Sequence, residues 1–109
     1  MTLDLMNTPH VTPWAGSTPP AEFTLRQLYA DEGMSPYQWL NGPHDVYSAH
    51  EHSYDKVIYV VRGSITFGLP EEGRQSITLN AGDRLDLPAR IVHDAIVGSE
   101  GVTCLEAHQ

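Results

Sequence analysis

The sequence predicts an all-β domain with one short N-terminal helix, on three observations. First, 109 residues, 40% of them apolar and 18% charged, are ordinary for a soluble globular fold and leave no length for a second domain. Second, after Pro36 short runs rich in Val, Ile, Tyr, Thr and Leu alternate with glycine or proline punctuation. The breaks fall at Asn41-Gly42-Pro43, Arg62-Gly63, Pro70-Glu71-Glu72-Gly73, Asn80-Ala81-Gly82-Asp83 and Gly98-Ser99-Glu100-Gly101, the rhythm of antiparallel sheet. Third, no helical period interrupts these runs. That disfavours a parallel crossover sheet and leaves a barrel or a double-sheet jelly roll.

The elements follow in order. Residues 1–20 carry Pro9, Pro13, Pro19 and Pro20 among Thr, Asn, Gly and Ser, which favours an extended arm over a helix or sheet interior. Leu3, Leu5, Met6, Val11 and Trp14 are too apolar for a freely solvated tail, so the arm is expected to lie across the domain or a neighbouring subunit; a partly ordered terminus is the alternative. Residues 21–33 are predicted as a short amphipathic helix. Thr18 supplies a capping hydroxyl, Pro19 and Pro20 suit the first turn, and Glu22 is an early acid. Ala21, Leu25, Leu28 and Tyr29 share one face, and Gly33 stops the helix. Residues 34–109 form the barrel, with strands expected near 36–40, 45–50, 55–62, 64–69, 75–79, 84–87, 91–97 and 102–107.

Charge excludes several functions. Six Lys and Arg against fourteen Asp and Glu give a net charge of −8, so the footprint of a phosphate-backbone binder is absent and nucleic acid is not an expected partner. No apolar run approaches the roughly 20 residues that cross a bilayer. The longest, Val57-Ile58-Tyr59-Val60-Val61, has strand length, and no membrane partner is expected. With no Lys or Arg before Arg26 and no sustained apolar stretch, the N-terminus is unlike a signal peptide. The single cysteine, Cys104, fits a reducing compartment and a buried, small apolar role, so a cytoplasmic protein is expected. A chain of this length builds one core with little margin, which pairing into a homodimer would relieve.

Two of the six histidines stand as His50-Glu51-His52, a separation that sends both rings to one face of an extended chain. Nitrogen ligands converge to about 2.0–2.1 Å from a shared ion, so a third is needed from elsewhere. His93 is the best candidate. It follows Pro88 within the apolar run Ile91-Val92-His93-Asp94-Ala95-Ile96-Val97, where an unpartnered polar ring is costly. His10, His44 and His108 lie near proline, glycine or the terminus and are expected to be exposed.

On these residues the chain resembles the cupins. Their first motif reads glycine, five residues, His-x-His, three or four residues, Glu, six residues, Gly; here His50 and His52 are followed by Lys56 at the Glu place and then Gly63, with His44 at the leading glycine. Their second reads Gly, five residues, Pro-x-Gly, two residues, His, three residues, Asn; here Gly82, Pro88 and His93 keep the intervals, while Arg90 replaces the glycine and Val97 the asparagine. The resemblance spans about residues 39–97 and implies a small, single-domain, RmlC-like cupin, a double-stranded β-helix or jelly-roll barrel.

It also implies that His50, His52 and His93 are metal ligands. Imidazole suits several divalent transition metals, and iron, nickel, zinc, manganese and copper all stay open. Lys56 cannot take the glutamate's role, because a protonated amine has no lone pair and repels a cation. Three outcomes compete: a three-histidine site completed by water, a substitute ligand such as Asp55 after a local register shift, or a site without metal. Three-histidine sites also occur in cupin dioxygenases resembling cysteine dioxygenase. An ion without a carboxylate ligand keeps its full charge and favours anionic ligands.

Lys56 and Tyr54 are the candidates for a catalytic role. Lys56, on a straight strand, shares a face with His50 and His52 and can hold a carboxylate near the metal or form a rim ion pair. Tyr47, Tyr54 and Tyr59 either line a pocket or pack. The functions that follow are a small-molecule-binding metal cupin, with dioxygenase-like oxidation as its sharpest enzymatic form and isomerase or lyase chemistry as alternatives, or a non-catalytic metabolite-binding or structural module.

Overall fold

A computed structural model describes residues 8–109 of the chain; Leu3, Leu5 and Met6 of the expected arm lie outside the described residues. The elements are β1 (His10–Thr12), α1 (Glu22–Asp31), β2 (Tyr37–Asn41), β3 (Val46–His50), β4 (Lys56–Leu69), β5 (Gln75–Asn80), β6 (Arg84–Leu87) and β7 (His93–His108), all strand pairs being antiparallel.

Two pairs of expected strands are each one long strand. The Arg62-Gly63 and Gly98-Ser99-Glu100-Gly101 stretches do not break β4 and β7, as the sequence reading has it, but bend them. Gly63 and Gly101 both have φ of +79, and a Cβ on Gly63 would lie 1.9 Å from the Gly101 carbonyl oxygen. Glycine takes that conformation without strain, and only glycine permits that approach. The β4–β7 register shifts between Val60 and Arg62 and again between Gly63 and Ile65, the mark of bulges that turn paired strands without unpairing them.

The bend creates two layers. The first half of β4 pairs with β6 and with the last half of β7, whose other edge takes β2, while β1 adds to β6. The second half of β4 pairs with β5 and with the first half of β7, whose other edge takes β3. Ile58, Val60, Leu85 and Cys104 from the first layer meet Ile65, Phe67, Leu79, Ala95 and Val97 from the second in one buried core. This is a jelly-roll arrangement, as the strand rhythm predicts.

The helix covers the outer side of the first layer, where Leu25 and Tyr29 are fully buried against Val57, Tyr59, Val61, Leu105 and Ala107. Ala21 of the expected apolar face is exposed. The expected Thr18 cap is also corrected: Ala21, three residues later and beyond Pro19 and Pro20, is the N-cap residue, and no side chain caps the helix. The C-terminal stop is Gly33, at φ +75, with Gly33 N–H donating to Ala30 O and Met34 N–H to Tyr29 O, a Schellman closure. The described part of the arm lies on the domain: β1 pairs with β6, Val11 packs on the core, and the Trp14 N–H donates to Asp83 Oδ1 at 2.9 Å.

Candidate metal centre

Strand pairing places the first two candidate residues. His50 at the end of β3 and His93 at the start of β7 are directly opposed across the ladder. Tyr47 opposes Ala95, so β3 spends one residue more than β7 between the two pairs. Without that bulge Tyr47 and His50, three apart, point to opposite faces; with it both face the interior. His52 lies two residues beyond the end of β3, outside the expected 45–50 as well. Its carbonyl accepts the Arg90 N–H at 2.7 Å, tying this segment to the loop that leads into His93.

The three rings converge, with centroids 4.7 Å apart for His50 and His52, 4.4 Å for His50 and His93, and 5.3 Å for His52 and His93. One ligand nitrogen from each lies within 4.8 Å of the others. Two nitrogens about 2.1 Å from one ion span at most about 4.2 Å, so small side-chain rotations complete the set. The hydrogen bonds fix which nitrogens these are. His50 Nδ1 is 2.7 Å from Ser48 O, and His93 Nδ1 is 2.9 Å from Ile91 O. A carbonyl only accepts, so both Nδ1 atoms carry the proton and both Nε2 atoms keep a lone pair. Lys56 Nζ donates to His52 Nε2 at 3.3 Å, so the His52 lone pair is also on Nε2, leaving Nδ1 to donate to Tyr54 Oη at 3.1 Å. Oxygen partners behind each ring are the usual support of metal-binding histidines. Burial pushes His93 down to about 4, and burial with the nearby Lys56 charge lowers His52, so both rings are neutral near pH 7.

Lys56 lines the cavity although no straight strand joins it to His50, since β3 ends at His50 and β4 begins at Lys56, and it forms no rim pair. Its side chain is 10% exposed, and Nζ lies 3.6 Å from Glu106 Oε2, itself 5% exposed. The acid beside Lys56 is Glu106; Asp55, the expected substitute ligand, is exposed and accepts the Ala89 N–H at 2.7 Å. Glu106 accepts three hydrogen bonds: Oε1 from Trp39 Nε1 at 3.1 Å, and Oε2 from Tyr37 Oη at 2.7 Å and His108 Nε2 at 2.8 Å. Burial alone would raise its carboxyl, but Lys56, Tyr37 and His108 together hold it below the usual range.

The sequence reading missed Glu106, Tyr37 and Trp39. The signal was there, because Glu106 interrupts the apolar run from Val102 to Ala107 as His93 interrupts its own. His108 is exposed as expected, yet it stacks on Tyr54, with centroids 4.0 Å apart, besides bonding Glu106. His10 and His44 are exposed.

These side chains line a cavity of about 320 Å³, with Tyr37, Trp39, Tyr47, Tyr54, Ile58, Phe67 and Ala95 as its remaining walls. Tyr59 instead packs beneath the helix, edge-on to Tyr29 at 5.2 Å. Burial pushes the Cys104 thiol up to about 12, which suits a small apolar residue.

In structure the chain is similar to a cupin-2 domain-containing protein from Shewanella frigidimarina, with a TM-score of 0.57, 21% identity and 68% of each chain covered. A DUF861 family protein from Thermotoga maritima gives 0.61 at 13% identity over 94% of this chain and 100% of that one. The polyketide cyclase RemF from Streptomyces resistomycificus gives 0.59 at 21% identity over 69% of this chain and 54% of the enzyme. The chain has the cupin fold. No protein-family model and no curated protein matches it. Among the described residues no helix is long and apolar enough to cross a membrane.

Within this fold the departures from the expected motifs have a structural place. His44 and Arg90 stand where cupin motifs have glycine, and they keep left-handed backbone at φ of +63 and +70. Lys56 stands at the motif's glutamate with a carboxylate supplied from β7.

Proposed function

We propose that this cupin binds a divalent transition metal through Nε2 of His50, His52 and His93 and holds a small organic molecule at the remaining positions in the aromatic cavity. The observation that carries the reading is three convergent lone pairs, each ring backed at Nδ1 by an oxygen. When bound, such an ion acts as a Lewis acid or, if iron, supports oxidation of the dioxygenase type. His50, His52 and His93 hold it on one side, Trp39, Tyr47, Tyr54 and Phe67 enclose the organic molecule, and Lys56 brings a charge to the floor of the cavity. The reading includes a cytoplasmic homodimer, supported by the lone buried thiol of Cys104 and the short chain's small core.

A second reading, a non-catalytic binding module, is supported by Glu106. With each oxygen already taken and its charge paired, it is not placed to act as a general base.

Elemental analysis of untagged protein tests the metal reading. His50→Ala, His52→Ala and His93→Ala should each lower metal content at least tenfold in affinity, on the order that losing one of three ligands implies, and His10→Ala should not. Equal retention in all four variants removes the assignment. Oxygen uptake by the iron-loaded protein with small thiols, diketones and hydroxy acids separates the enzymatic reading from the binding one.

A further inference from the structure

We propose that Lys56 couples the metal site to capture of an organic oxyanion, so that the cavity takes a small carboxylate or enolate together with the metal. The inference rests on the metal reading and adds the charge of the ligand.

Its origin is one lone pair with two claimants. His52 Nδ1 is engaged by Tyr54, and His52 Nε2 accepts from Lys56 at 3.3 Å. A lone pair that coordinates a cation cannot also accept a hydrogen bond, so a metal ligated by His52 takes from Lys56 its nearest acceptor. The other partner does not replace it. Glu106 Oε2 is 3.6 Å from Nζ, beyond hydrogen-bond reach, and already accepts from Tyr37 and His108. A side chain 10% exposed has little access to solvent in compensation.

The loaded cavity then has three neutral imidazoles, a divalent ion and an ammonium facing a single carboxylate. Two positive charges are left uncompensated among aromatic and aliphatic walls, where charge is poorly solvated. An oxyanion supplies both missing things, an acceptor for Lys56 and negative charge beside the ion. Trp39, Tyr47 and Phe67 line the cavity as apolar walls, which suits an oxyanion carried on a small organic frame.

The sign of the coupling follows. Without an anion Lys56 opposes the metal, by claiming the His52 lone pair and by repulsion. With an anion it supports the metal, and by linkage the metal supports the anion by the same factor.

The test measures Zn(II) affinity of the full chain by chelator competition, with benzoate as the probe and benzamide as its uncharged counterpart. Benzoate should tighten Zn(II) by about fivefold or more in the wild type, within the usual span of coupling, and benzamide should not. Lys56→Met should bind Zn(II) more tightly than wild type in the absence of benzoate and lose the response, while Lys56→Arg keeps it. The double variant Lys56→Met/Glu106→Gln removes both charges, so it avoids an unpaired buried carboxylate and serves if the single variant does not fold. Zinc binding that ignores benzoate in the wild type, or a response that survives in the Lys56→Met proteins, overturns the coupling and leaves the metal reading intact. No zinc binding by any of these proteins overturns both.

Discussion

Arg90 holds a left-handed backbone at φ +70, which costs a side-chain-bearing residue roughly 1–2 kcal/mol. The conformation persists because the Arg90 N–H reaches the His52 carbonyl, so the strain sits at the joint between the two histidine-bearing segments. Arg90→Gly should therefore raise stability by about 1 kcal/mol in urea denaturation, with zinc affinity unchanged. A fall in stability would show that the arginine side chain contributes more than its backbone costs. Glu106 carries the opposite expectation. Glu106→Gln leaves the buried Lys56 without its counter-charge and should lower the unfolding free energy by about 3 kcal/mol. A change under 1 kcal/mol would mean that the pair is already solvated through the cavity mouth.

Among the elements, α1 is held by one side chain more than by its length. The Tyr29 hydroxyl donates toward Val57 O at 2.8 Å and Leu105 O at 3.0 Å, bridging the two central strands from outside, and burial raises its pKa well above the ordinary value. Tyr29→Phe keeps the apolar contact with Tyr59 and loses these bonds, which should cost about 1–1.5 kcal/mol in thermal or urea unfolding. Zinc affinity should not change, because Tyr29 lies on the opposite side of the sheet from the histidines. A loss of affinity beyond threefold would show that the helix positions the site through β4. The β3 bulge acts directly on the cavity: by spending one extra residue between Tyr47 and His50 it turns both inward, and a regular strand of the same composition could present only one.

For the molecule as a whole, stability should fall in acid. Glu106 is held below its ordinary value by Lys56, Tyr37 and His108 against the effect of burial, so the unfolded chain binds the proton more readily. The stabilisation is complete above the unfolded value of about 4.3 and is lost as pH falls through the folded one. Neutral burial of His93 works in the same direction, since the unfolded ring protonates first. Melting temperature of metal-free protein should begin to fall below about pH 6.5, where the unfolded His93 ring takes up its proton, and fall more steeply below about 4.3 as Glu106 adds its own loss. Glu106→Gln should keep the first decline and lose the added steepness. Parallel acid limbs in the two proteins would acquit Glu106.

Much of this was legible in the sequence because it is local. Alternating apolar runs, turn residues and the spacing of His50, His52 and His93 depend on chain periodicity, and periodicity is written in residue order. The helix stop at Gly33 was readable for the same reason, whereas the start lies at Ala21, beyond the two prolines that follow Thr18. What stayed hidden depends on partners distant along the chain. Gly63 and Gly101 read as turns, yet each becomes a bulge because the other lies against it. Lys56 read as a missing ligand, yet it is paired with Glu106, fifty residues on, because antiparallel β4 and β7 bring their ends together. The sequence by itself determined the barrel and the three imidazoles. Only the tertiary structure decided the charge at the floor of the cavity, since an ion pair is a matter of distance through space, and the lone Lys56 reveals its counter-charge only once the last strand is laid beside it.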